Sequence, residues 1–94
     1  MERPKNNRDF YTFIEAIGQS LEEAGQPAWA QRIRFAVRSG STSGEIFTNL
    51  GNELDQLIAS GVPNRSGLQA EVSLALELID DALRRVGQIP PARP

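Results

Sequence analysis

The stretch that most constrains this chain is Gly67 to Gly87, GLQAEVSLALELIDDALRRVG. It is the longest uninterrupted helical signal, with no internal Gly or Pro. At α-helical periodicity Leu68, Val72, Ala75, Leu76, Ile79, Leu83 and Val86 fall on one side and make an ordinary core stripe. Leu74, Leu78 and Ala82 extend that stripe to an apolar arc of about 200°, against roughly 100° for a surface helix. Such a helix needs cover on more than one side. Either it lies between other helices of its own chain, or Leu74, Leu78 and Ala82 form part of a self-association or partner surface. Asp80–Arg84 and Asp81–Arg85 are spaced as i,i+4 pairs with the acid first, and Arg84 and Arg85 suit the negative end of the helix dipole.

The rest of the chain supplies the partners. A first helix is expected from about Arg8 to Ala24, with Phe10, Phe13, Ile14, Ile17 and Leu21 on a narrow core face and Asn7 or Asp9 as cap. Gly25 ends it. Pro27 opens a second helix that runs to about Ser39, with Trp29, Ala30, Ile33, Ala36 and Val37 inward. Phe35 breaks that pattern and falls opposite the core, among Gln31, Arg32 and Arg38. Thr42 and Glu45 match a capping box ahead of an apolar run, with Ser41 as the competing cap. The third helix therefore spans about Ser43 to Ser60, with Ile46, Phe47, Leu50, Leu54, Leu57 and Ile58 inward. Gly51 borders its stripe, where a glycine suits a close helix approach. Residues Val62 to Ser66 read as a link, with Asn64 or Ser66 capping the last helix. The expected fold class is all-α, a compact four-helix, bundle-like domain with short loops. Its organisation is a flexible arm at 1–7, a single domain at 8–87 and an extended, Pro-rich tail at 88–94.

Size and composition narrow the function. Ninety-four residues suit one core and leave little room for a deep cleft with a separate cofactor site. Without cysteine there is no thiol nucleophile or thiolate metal site, and without histidine the commonest general base and metal ligand are missing. Neither a catalytic residue nor a cofactor nor a metal is therefore expected. The carboxylates Glu15, Glu22 and Glu23, and Glu77, Asp80 and Asp81, fall on polar helix faces. No apolar run approaches the length of a membrane span, and the N-terminus lacks the apolar region of a signal peptide, so a cytoplasmic protein is the default expectation.

Two motifs bear on partners. The turn Ser39-Gly40-Ser41-Thr42-Ser43-Gly44 resembles a phosphate cradle only in composition, for it lacks the lysine of a P-loop. It reads as a capping turn, with an anion site as the other possibility. The second helix, this turn and the third helix have the order of a helix-turn-helix. The exposed positions of the third helix, Thr48, Asn49, Asn52 and Gln56, come with Glu45, Glu53 and Asp55, and no basic residue lies between Arg38 and Arg65, which argues against nucleic acid. The net charge of −2 names no partner, but the acid-free span between Glu23 and Glu45 holds Arg32, Arg34 and Arg38. Phe35 with Arg32, Arg34 and Arg38 is the surface constellation that fits the composition of a binding hot spot. The alternative is that Phe35 folds under the arm or the tail, against residues such as Ile89 and Pro90.

At Trp29, Gly40-Ser41-Thr42, Glu45-Ile46 and Leu50, over roughly residues 21–58, the chain resembles a type of short all-helical bacterial protein. That type has a Trp-bearing helix, a Gly-Ser-Thr turn and a helix starting Glu-Ile. The group is uncharacterised, so the resemblance implies a fold and brings no activity or site residue. In size and helical character the chain is also similar to antitoxin and immunity proteins, an analogy of fold class alone. The function expected from the residues is a non-catalytic protein-interaction module, self-associating as a dimer or binding another protein. The alternative is nucleic-acid or anion binding through the Arg-rich face of the second helix.

Overall fold

In the computed structural model, which describes residues 6–85 and 87, the chain is all-α. Its elements are α1 (Asn7–Glu23), α2 (Pro27–Ser39), α3 (Ser43–Ser60), α4 (Val62–Arg65) and α5 (Gln69–Arg85). No strand occurs among the described residues.

Local chemistry sets the helix ends. The Asp9 N–H donates to Asn6 Oδ1 at 2.8 Å, so Asn6 caps α1 rather than Asn7 or Asp9. Asn6 and Asn7 thereby belong to the domain and not to an arm, while the rest of the expected arm and the tail at 88–94 lie outside the described residues. Thr42 caps α3 by accepting from the Glu45 N–H at 3.1 Å. The Glu45 carboxylate turns back to accept from Ser41 N–H at 3.0 Å and from its hydroxyl at 3.1 Å. The reciprocal half of the box thus falls one residue earlier than the usual pattern. These bonds, the Ser41 N–H first, hold the Glu45 carboxyl below the ordinary glutamate range.

The segment read as a simple link contains a further turn of helix, a correction to the count of four. Gly61 takes a φ of 80°, a left-handed conformation that glycine adopts without strain. Pro63 then sits in the first turn of α4, and both it and Val62 are buried. Ser66 does not cap the last helix. Its hydroxyl donates to the Val62 carbonyl at 2.6 Å, and α5 starts three residues later, with Val72 N–H donating to Leu68 O at 3.0 Å. In the last turn Arg84 reaches Asp81 at 3.3 Å, an i,i+3 pair.

Helices consecutive in sequence pack together. α2 lies against α1 and α3, and α3 against α5; α1 meets α5 lightly, and α2 makes no close backbone approach to α5. The core they enclose includes Phe10, Ile14, Ile17 and Leu21 of α1, Ile33 of α2, Leu50, Leu54 and Leu57 of α3, and Val72, Ile79 and Leu83 of α5. Burying each such aliphatic side chain contributes about 1.5–3 kcal/mol before entropy is counted. Phe10 meets Phe47 edge-on at 5.5 Å and Tyr11 at 5.9 Å, which joins α1 to α3 at one end of the core.

Candidate interaction surface

The face of α2 turned away from the core carries the candidate site. Pro27 begins this helix, and its inward positions Ala30, Ile33 and Ala36 are all buried. The phase they impose projects Phe35 outward, where it is 67% exposed. Among the described residues it is the one large hydrophobic side chain in that state.

The arginines predicted to share this face divide between its two sides. Arg32 leans toward α3, where its Nε bonds Glu53 Oε2 at 2.7 Å and its Nη2 donates to Gln56 Oε1 at 2.6 Å. Its guanidinium also lies 4.2 Å from the centre of the Trp29 ring, within cation–π range. Arg34 turns to α1. Its Nε donates to Glu15 Oε1 at 3.0 Å, and its Nη2 stands 2.8 Å from Glu15 Oε1 and 2.6 Å from Glu22 Oε1. Glu22 first, and Glu15 after it, raise Arg34 above the ordinary guanidinium range. Arg34 therefore clamps α1 to α2. Arg38 is exposed at the C-terminal end of the same face.

Between α2 and α3 runs an open groove of about 380 Å³ lined by Arg32, Phe35, Ser39, Asn49, Asn52, Glu53 and Gln56. Its α3 wall is rich in amides, which both donate and accept hydrogen bonds. Sequence reading placed Asn49, Asn52 and Gln56 on the outer side of the third helix without linking them to Phe35. The signal was their spacing of three and four residues, which sets them in one row.

The second candidate surface lies on α5. Leu78 and Ala82 are half-buried and pack on the core. With Phe10, Phe47, Asn6, Asn7 and Arg85 they line a hollow of about 120 Å³ where α1, α3 and α5 converge. Leu74 differs. It is half-buried, yet it stands outside the set of side chains that pack against the core.

Other chemistry is sparse. The backbone and hydroxyl donors of Ser41 at the start of α3, where an anion was considered, are occupied by Glu45. Among the described residues no group of three or more carboxylates is placed to hold a metal ion, and no helix is long and apolar enough to cross a membrane. Compared with protein-family models, curated proteins and solved structures, the chain matches none.

Proposed function

We propose that this domain is a non-catalytic protein-interaction module that engages a polypeptide through the outer face of α2, with Phe35 as the anchor. In this reading the four long helices form a bundle-like scaffold, and the α2–α3 groove is the polar margin of the contact. The observation that carries it is the 67% exposure of Phe35 on a helix whose other large apolar side chains face inward. Covering a phenylalanine contributes about 1.5–3 kcal/mol, and an aromatic flanked by arginine and amides has the make-up of an interface hot spot. The pairing of Arg32 with Glu53 and of Arg34 with two glutamates neutralises much of the charge that nucleic-acid binding would use.

The test is a photoreactive phenylalanine analogue at position 35, with the same group at the exposed Gln19 of α1 as control. Illumination in the cells that make the protein should give a protein adduct from position 35 and none from position 19. Absence of any adduct at position 35 refutes the reading.

A further inference from the structure

Among the described residues two large apolar side chains lack a place in the core: Phe35 on α2 and Leu74 on α5. Their surroundings are opposite in sign and equal in spacing. Phe35 has Arg32 three residues before it and Arg38 three residues after it; Leu74 has Glu71 three residues before it and Glu77 three residues after it. On a helix, residues three apart lie beside one another on the surface. Each apolar side chain is thus bracketed by two like-charged residues about 9 Å apart along the helix axis: on α2 the exposed Arg38 and Arg32, whose charge Glu53 partly offsets, and on α5 the half-buried Glu71 and the exposed Glu77.

From this match we infer that the partner of the Phe35 face is a second copy of the chain, presented through Leu74 of its α5. The inference rests on the reading of Phe35 as an anchor and names what it binds. Arg32 spends its Nε and one Nη2 hydrogen on Glu53 and Gln56, so part of its five-donor fork is left for a carboxylate of the second copy. α2 makes no close backbone approach to α5 within one copy, so the two faces cannot satisfy each other internally. The surfaces that meet are different, which makes the contact heterologous: each copy offers one face of each kind and copies add head to tail. A contact between two single helices is smaller than the roughly 800 Å² per partner of a standard interface, so association is weak and depends on protein concentration. Because the framing is ionic, association also weakens with added salt.

The test is sedimentation of the purified full chain over a range of concentrations, in low and in high salt. The weight-average mass should rise with concentration, less so in high salt, and Phe35→Ala should lower the association constant about tenfold or more. Phe35→Glu spoils the α2 face and leaves the α5 face intact; Leu74→Glu does the reverse. Each alone should stay monomeric, and an equimolar mixture should form a one-to-one dimer that grows no further. If circular dichroism shows Leu74→Glu to have lost helix, the exposed-site change Glu77→Lys takes its place. A wild-type chain that remains monomeric at low salt overturns the inference. So does a Leu74→Glu chain that still dimerises alone, the mark of a two-fold Phe35-to-Phe35 contact that leaves Leu74 aside, and so does a mixture that stays monomeric although the wild type associates. A position-35 cross-link that joins a different protein overturns the homotypic contact and leaves the interaction module standing; no cross-link removes both.

Discussion

Replacing Gly18 and Gly40 by alanine, one at a time, should move stability in opposite directions. Gly18 lies buried inside α1, and a methyl group there would meet the Arg34 guanidinium at 3.5–3.7 Å, ordinary van der Waals contact. Nothing must shift, and alanine is the better helix former by about 0.8–1.0 kcal/mol, so Gly18→Ala should stabilise by about 0.5–1 kcal/mol. Gly40 has an ordinary backbone, φ −92° and ψ 148°, which alanine tolerates. A methyl group there, however, falls 2.8 Å from both the backbone nitrogen and Cγ1 of Ile46, and 3.1 Å from Glu45 Cβ. A side-chain rotation cannot clear a backbone nitrogen, so the start of α3 must move, and the bonds from Ser41 to Glu45 move with it. Overpacking of this kind costs about 1–3 kcal/mol. For a domain of this size 1 kcal/mol corresponds to about 4–8 °C in Tm. Thermal unfolding followed by circular dichroism, with urea midpoints at unchanged slope as the second reading, should place Gly18→Ala above the wild type and Gly40→Ala well below it. A Gly40→Ala protein as stable as the wild type would show that the close approach of Gly40 to Ile46 is not what fixes this residue.

Three further outcomes follow from the same contacts. Because the folded-state Glu45 carboxyl is held below its ordinary range, its stabilising effect is complete above the unfolded-state value and disappears as pH falls through the folded one. The Tm advantage of wild type over Glu45→Gln should therefore be present at neutral pH and vanish in acid. Leu78→Ala should cost about 1–2 kcal/mol in urea unfolding, short of the 2–5 kcal/mol of a fully buried leucine, whereas Leu74→Ala should cost less than about 1 kcal/mol. Phe35→Ser should change stability by no more than about 0.5 kcal/mol, since the ring has little of the fold resting on it; a larger loss would mean that Phe35 is structural.

The inward faces of α1 and α3 are legible in the sequence because their apolar residues repeat at helical spacing and their caps are local: Phe10, Ile14, Ile17 and Leu21 are all buried, as are Phe47, Leu50, Leu54 and Leu57. Phe35 is legible for the same reason, as an interruption of a regular pattern. The turn of α4 was missed although Pro63 follows Gly61 as a helix-opening proline, the signal that marked Pro27. Four residues give no periodicity to support it. Long-range pairings were not legible at all. Arg34 meets Glu15 and Glu22 only because α1 and α2 pack side by side, and a helical projection of α2 alone groups it with Arg32 and Arg38. The wide arc of α5 misled in a similar way. Its width reflects two neighbours, since Leu78 and Ala82 are covered near Phe10 and Phe47, and only Leu74 is left over.

The stacking of Arg32 on Trp29 has an optical consequence. Trp29 is the only tryptophan in the chain, half-buried at the edge of the face that bears Phe35 and beneath a guanidinium that belongs to that face. Any polypeptide that draws Arg32 toward its own carboxylates must disturb the indole's surroundings. The native protein thus carries an intrinsic fluorophore beside the proposed contact, and a titration monitored at tryptophan emission requires no added dye or label.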